Sequence, residues 1–305
     1  MSQVPCHNLS MWDWSDIQLR LRTCRPNGRK IKEGELMIAL SRESMIEGLS
    51  IFDSKNVTFV PQNLADVFPA LVAVEVTRCS VKTVYENQFK NLWKLRFLSL
   101  SRNKIDYISS DAFNDLYSVE YLYLAFNKIQ VLGATTFDSL RNLKELSLYE
   151  NRIQCLYPKI FTKLGSVEEI WLSKNKIKTL NEIIFKKQTK LRLIALNGNK
   201  LVEIPSKLFE KNLKLDEVWL HDNKIEFINA NMFDHLPYLE IVALENNECV
   251  GTVYDVATFG AMRRDMARDC EEPLQIPEDS RQKCQTVAEI DVEDLEETSQ
   301  QENVF

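Results

Sequence analysis

The chain is 305 residues long, 45% hydrophobic and 27% charged, with a formal net charge of −6. That apolar content supports a sizeable core, yet no apolar run approaches the roughly 18 residues a membrane-spanning helix requires. The mild acidity argues against a dedicated nucleic-acid binder, which concentrates lysine and arginine in one patch.

The N-terminal stretch MSQVPCHNLSMWDWSD lacks the charged-then-apolar design of a signal peptide. If the protein is exported, this is expected to be a mature or shortened form. The flank carries Cys6, Cys24 and a glycosylation tripeptide, Asn8-Leu9-Ser10. A second tripeptide, Asn56-Val57-Thr58, sits in a degenerate first turn near 47–57. There only Phe52 and Val57 keep the phase of the later turns, and Ala65 stands in a phenylalanine slot.

From about Leu71 to Cys249 a period of 24 residues takes over. Asn103, Asn127, Asn151, Asn175, Asn199, Asn223 and Asn247 recur at one phase; Phe89, Phe113, Phe137, Phe161, Phe185, Phe209 and Phe233 recur at another. A period of this size means stacked units, each too small to bury its own apolar face. LRFLSLSRNKI at 95–105, VEYLYLAFNKI at 119–129 and LKELSLYENRI at 143–153 show the unit, L-x-x-L-x-L-x-x-N-x-L. LVAVEVTRCSV at 71–81 fits it with Cys79 in the asparagine slot. Within L-x-L the apolar side chains alternate with period two, which predicts one short strand per turn and a parallel sheet with about 4.8 Å between turns. The asparagine after the strand offers donors and an acceptor to backbone groups left unpaired where the chain bends. The phenylalanines are expected to form a second internal column, whose burial is the larger energetic contribution.

These motifs resemble the leucine-rich repeat family over roughly 180 to 200 of the 305 residues. The resemblance implies an α/β solenoid: a horseshoe with a parallel concave sheet, its repeats filling 47–249 between an N-terminal cap at 1–46 and a C-terminal cap at 250–284. The short caps are similar to those of small secreted repeat proteins of arthropods, some of which serve in recognition or immunity. They depart from the usual vertebrate C-terminal cap, which carries a C-x-C. Extracellular members close their caps with cysteine pairs, which implies Cys6–Cys24 and Cys249–Cys270; a bond from Cys249 or Cys270 to Cys284 is the competing arrangement. Together with the two tripeptides, this points to an extracellular location.

Two cysteines lie inside the array. Cys79 and Cys155 are three turns apart, roughly 15 Å by the strand spacing, too far to bond to each other. Cys155 is expected as a half-buried thiol; the alternative is that Cys155 or Cys284 links covalently to a partner. Beyond Cys249, the segment Thr252 to Arg268 places Val253, Val256, Phe259, Met262 and Met266 at helical spacing and predicts an amphipathic capping helix. Residues 285–305 read as a disordered acidic tail, since Val287 to Phe305 holds seven acidic residues and no basic ones.

No metalloprotease, nucleophile-elbow or phosphate-loop motif occurs, so a non-catalytic protein is expected. No cofactor is implied, and His7, His221 and His235 do not cluster with cysteines as a zinc site would. The outward positions of the strands carry the binding expectation. Phe97, Tyr121, Glu145, Glu169 and Glu217 share one column, Tyr123, Trp171 and Trp219 the next, and Tyr149 and His221 the third. Aromatic side chains on a rigid sheet are typical of interface hot spots, so a protein ligand is expected on the concave face; shielding of neighbouring strands is the competing explanation. A cationic stripe, Lys104, Lys128, Arg152, Lys176, Lys200 and Lys224, comes directly after the asparagines. It reads as a solvated edge fixed by the repeat or, in second place, as a docking strip for an anionic glycan. The leading reading is a secreted protein-binding repeat protein, with a cell-surface receptor ectodomain or a matrix protein as alternatives.

Overall fold

The computed structural model describes residues 46–270, together with the backbone of residues 10–12, 19–21 and 23–24. Cys6, Asn8, Cys284 and the tail at 285–305 lie outside the described residues, and Cys24 is described through its backbone only; the Cys6–Cys24 pairing therefore falls outside them too.

Strands β1 (Ser10–Trp12) and β2 (Leu19–Leu21) pair antiparallel. An eleven-stranded sheet begins with β3 (Thr23–Cys24), β4 (Gly48–Phe52) and β5 (Ala73–Thr77). After β5 a two-residue strand, β6 (Thr83–Val84), leaves the sheet to pair with β8 (Tyr107–Ile108), while β7 (Phe97–Ser99) continues the sheet between them in sequence. The sheet proceeds through β9 (Tyr121–Tyr123), β10 (Glu145–Ser147), β11 (Glu169–Trp171) and β12 (Leu193–Ala195). A second lateral pair joins β13 (Glu203–Ile204) to β15 (Phe227–Ile228), flanking β14 (Glu217–Trp219) in sequence, and β16 (Ile241–Ala243) ends the repeats. From β3 to β16 every pairing in the large sheet is parallel. The protein is thus a parallel-sheet solenoid of about eight turns of about 24 residues. Its convex limbs are tight turns closed by bonds such as Leu140 N–H to Phe137 C=O at 3.1 Å.

Each asparagine bridges two turns, as Asn151 illustrates. Its amide nitrogen donates to Leu148 C=O in its own turn at 3.1 Å and to Leu124 C=O in the preceding turn at 3.0 Å. Its oxygen accepts from the Ile129 N–H, also of the preceding turn, at 3.1 Å. The same three-way pattern holds for Asn103, Asn127, Asn175, Asn199, Asn223 and Asn247. Cys79 occupies the slot with half the function. Its thiol donates to the Thr77 and Ile51 carbonyls, while the Val57 N–H turns to Ser54 C=O instead.

The phenylalanines stack from Phe89 to Phe233 with ring centroids 5.9 to 6.3 Å apart and interplanar angles of 6° to 23°. That spacing exceeds the roughly 4.8 Å between paired strands. Successive turns therefore splay on the phenylalanine side and close on the sheet side, which makes the sheet face concave.

The first turn departs from the expectation for Phe52. β4 pairs with β5 at an offset of 25 residues, setting Ile51 opposite Val76 and Phe52 opposite Thr77. Ile51 takes the core position and Phe52 is 56% exposed. One extra residue between Ile51 and Val57 causes the slip, and a one-residue shift sends a strand side chain to the opposite face. Where Ala65 replaces phenylalanine, Leu64 of helix α1 (Leu64–Val67) and Phe68 fill the core.

At the other end the capping helix is shorter than its spacing predicted. Helix α2 spans Phe259–Asp269 and buries Met262 and Met266. Val253 belongs instead to β17 (Val253–Asp255), which pairs antiparallel with β16, and Val253 and Val256 are exposed. The open edge of β16 needs backbone partners, and this outweighs helical propensity over 253–255. Tyr254 is buried between strand and helix, and its hydroxyl donates to Asp265 at 3.0 Å. Burial first, then that bond, pushes its pKa up to about 12.

Cys249 and Cys270 form the C-terminal cap disulfide, with Cα atoms 5.1 Å apart. Cys155 corrects the sequence-based expectation. It is disulfide-bonded rather than a thiol, and is therefore closed to a covalent partner. A 24-residue phase locates a residue within its own turn and carries no information about its oxidation state. Cys79 is buried and free, and burial raises its pKa.

The packing of both columns can be checked by substitution and the cysteine states by labelling. Asn151→Ala and Phe161→Ala should each destabilise by roughly 1–4 kcal/mol, through orphaned backbone groups in one case and a cavity in the other; an unchanged denaturation midpoint for both would show that the columns are not buried. Alkylation of the denatured, unreduced chain should label Cys79 and leave Cys155, Cys249 and Cys270 unmodified, as read by peptide mass.

Candidate functional site

Each central strand sends its middle residue into the core and its flanking residues to the concave face. The pairing Tyr121–Glu145–Glu169–Leu193–Glu217 makes one column, and Tyr123–Ser147–Trp171–Ala195–Trp219 the next. The structure thus brings the candidate residues together on one face. Phe97 is the exception to their accessibility. It is 2% exposed, clustered with Ala73 and edge-on to Tyr123 at 5.5 Å, so its ring offers no surface to a ligand. Tyr121, Tyr123, Glu145, Tyr149, Glu169, Trp171, Glu217, Trp219 and His221 are half-buried.

Carboxylates hold the rings in place. The Tyr123 hydroxyl donates to Glu145 Oε2 at 2.8 Å. Trp171 Nε1 donates to Glu169 Oε2 at 3.2 Å, and Trp219 Nε1 to Glu217 Oε2 at 2.9 Å. In both tryptophan pairs the carboxylate stands two residues earlier on the same strand, the spacing that puts both side chains on one face. The two indoles meet edge to face at 5.8 Å and 83°, across β12. They can do so because the intervening residue, Ala195, presents only a methyl group. His221 lies 6.4 Å from the Trp219 ring, with Nδ1 2.7 Å from Asp222 Oδ2. Bonds from Asn246 and His221 hold the Asp222 carboxyl below its usual range. Burial, then the neighbouring Glu145 charge, pushes the Tyr123 phenol well above the ordinary tyrosine range, so it stays a protonated donor.

A second stripe runs where the strands end. The Arg102 guanidinium lies 3.8 Å from the Phe126 ring centre, Phe126 is edge-on to Tyr149 at 5.2 Å, and Lys174 Nζ is 5.1 Å from the Tyr149 ring centre. Phe126 is in the left-handed conformation, as are Arg78, Arg102, Glu150, Lys174, Gly198, Asp222 and Asn246 at the same phase. Except at Asn246 in the last repeat, their N–H groups bond the next turn, for example Phe126 to Tyr149 C=O at 2.9 Å, which offsets the steric cost of that conformation. This stripe was not legible in the sequence: Gly198, Asp222 and Asn246 are residue types that favour a positive φ, but Arg78, Arg102, Phe126, Glu150 and Lys174 are not.

Charge is sorted by column. Just before the strands, Glu120 bridges Arg96 and Lys144, and Asp216 pairs with Arg192 at 2.7 Å. The three concave columns hold Glu75, Glu145, Glu169, Glu217 and Glu245 and no lysine or arginine. Lys104, Lys128, Arg152, Lys176, Lys200 and Lys224 are exposed. Asn56 is also exposed, in a turn, as a glycosylated residue must be. Among the described residues no group of three or more His, Cys, Asp or Glu side chains is placed to hold a metal ion.

The leucine rich repeat family model matches residues 69–129, 118–177 and 189–248, together more than half of the chain. No curated protein sequence matches it. Among solved structures, TLR13 in its complex with ssRNA13 is similar, with a TM-score of 0.64 and 23% identity over 72% of this chain and 34% of that one. Toll from the Drosophila Toll–Spatzle complex aligns with a TM-score of 0.65 and 20% identity over 75% of this chain and 32% of that one. At such identity the likeness is one of fold, and this chain spans about a third of either structure's length.

The Arg102–Phe126 stack should be measurable on its own. A double-mutant cycle with Arg102→Ala and Phe126→Ala should give a coupling of about 0.5–1 kcal/mol, and additive effects would show that the stack contributes nothing.

Proposed function

The chain belongs to the leucine-rich repeat family, and we propose that it is a non-catalytic, secreted binding protein that docks a protein ligand on its concave face, in recognition or innate immunity. The observation that carries this reading is the set of half-buried rings of Tyr123, Trp171 and Trp219, each tied by its own polar atom to a carboxylate. Pre-oriented aromatic side chains lose little entropy on docking and are the usual interface anchors. Toll is bound to Spatzle on the same type of scaffold. The other similar structure is an RNA complex. Here a floor with five glutamates and no lysine or arginine would repel phosphates rather than release their counterions, which favours a protein. The disulfides of Cys249 with Cys270 and of Cys155, together with the exposed Asn56 tripeptide, suit an oxidising, secretory compartment.

A second reading rests on the lysine edge, where none of the six cations enters an ion pair among the described residues. An anionic glycan would dock there. Binding of a partner isolated from extracellular fluid separates the two. Trp171→Ala should weaken it by at least about 2 kcal/mol, whereas Lys176→Ala should cost less than about 1 kcal/mol. The reverse ranking, with steep salt dependence, would transfer the site to the edge.

A further inference from the structure

We infer that two copies of this chain pair about a twofold axis at a cleft in the C-terminal part of the array, with Lys214 of each copy meeting Glu240 of the other. This goes beyond the protein-docking reading and does not rest on it.

The cleft measures about 590 Å³ and lies on the flank just before the last strands, where Arg192, Lys214, Asp216, Tyr238, Glu240 and Val256 help to line it. It sits where the charge pattern of that flank breaks. Arg96, Glu120, Lys144, Glu168, Arg192 and Asp216 alternate in sign from turn to turn, and the alternation would put a cation at 240. Glu240 stands there instead, one turn after Asp216, whose own charge Arg192 already holds at 2.7 Å. Glu240 and Lys214 are exposed, and neither enters an ion pair among the described residues. The cleft thus offers one spare charge of each sign.

Its apolar part is exposed as well. Tyr238 and Val256 are 65% and 66% exposed, the highest values among the large hydrophobic side chains described. Leu213, 50% exposed, precedes Pro237 of the cleft by one turn at the same phase. Exposed apolar surface rimmed by charge marks an interaction site.

The occupant follows from how four side chains are arranged. Lys214, Leu215 and Asp216 alternate out, in and out, as do Tyr238, Leu239 and Glu240 one turn later. Tyr238 is therefore the lateral neighbour of Lys214, and Glu240 that of Asp216. Lys214 and Glu240 stand at opposite corners of a four-residue cell. An axis along the other diagonal, through Tyr238 and Asp216, exchanges those two corners. A second copy placed by that axis sets Lys214 against Glu240 twice and Tyr238 against itself, the self-complementarity that a twofold interface requires. Asp216 meets its own copy with its charge already held by Arg192 and its side chain only 19% exposed. A partner carrying a single sign of charge would leave the other charge desolvated and unpaired. The cleft shares no residue with the concave columns, so each copy keeps its own floor, and the pair would hold a two-site ligand with the gain of bivalency.

The test is sedimentation equilibrium of the folded, oxidised full chain across a micromolar range of concentration. The wild type should pass from monomer to dimer as concentration rises. Lys214→Glu and Glu240→Lys should each weaken dimerisation at least about tenfold, by setting like charges together twice. Tyr238→Ala should weaken it to a similar extent. Lys90→Glu, the same charge change on an exposed lysine in an early turn, should leave it unchanged. An equimolar mixture of Lys214→Glu and Glu240→Lys chains, one fused to a tag that changes its mass, should recover the dimer as a mixed pair. Glutamate then faces lysine at both contacts. The substituted side chains are all exposed, and an unchanged denaturation midpoint confirms that each variant is folded. A wild type that stays monomeric assigns the cleft to another occupant and overturns the inference. So does a dimer that neither charge reversal weakens, equal weakening by Lys90→Glu, or a pair of reversals that the mixture fails to rescue.

Discussion

Everything else in this structure depends on one carboxamide that serves two turns. Each asparagine donates to a carbonyl of its own turn and one of the turn before, and accepts an N–H from the turn before. Without it, three backbone groups in a water-free interior would be orphaned, at roughly 1–3 kcal/mol each. Because a solenoid contacts only its neighbours, these bonds are the nearest-neighbour coupling that makes the array cooperative. The slot with Cys79 shows the consequence of losing the acceptor. The Val57 N–H is not held by the thiol, and a local turn closed on Ser54 C=O takes it over.

The ladder also shapes the outer surface. To aim asparagine inward directly after a strand, the preceding residue takes a left-handed conformation, which limits most strands to three residues and presents Phe126 at the floor's margin. Phenylalanine stacking on the far side splays the turns, so the short strands curve around a shared hollow. Display and packing compete on that floor. Next to Ala73 and Tyr123 the Phe97 ring collapses into a cluster and is lost as surface, whereas Ala195 leaves room for Trp171 and Trp219 to stay upright against each other.

Strict periodicity turns single substitutions into stripes of charge. A mixed row before the strands, an acidic aromatic floor and a basic edge run side by side along the array. The mixed row neutralises itself and stabilises only weakly, since its cations are largely exposed. Floor and edge keep fields of opposite sign on one rigid body, and such fields orient partners before contact.

Within the sequence, the period alone determined the solenoid, the parallel strands, the asparagine and phenylalanine columns and the membership of the concave columns, because a one-dimensional stack repeats the same contacts in every turn. Legibility failed where contacts were not periodic. Phe52 kept the phase of the repeat and left the core, since one inserted residue exchanges the faces of a strand. Val253 had helical spacing and became a strand, since the exposed edge of β16 demanded partners. Cys155 read as a thiol and is disulfide-bonded. Only the tertiary structure decided which floor rings remain accessible and which carboxylates orient them, because those outcomes depend on side-chain volumes and hydrogen bonds between turns, and a repeat consensus constrains the inward positions while leaving the outward ones free.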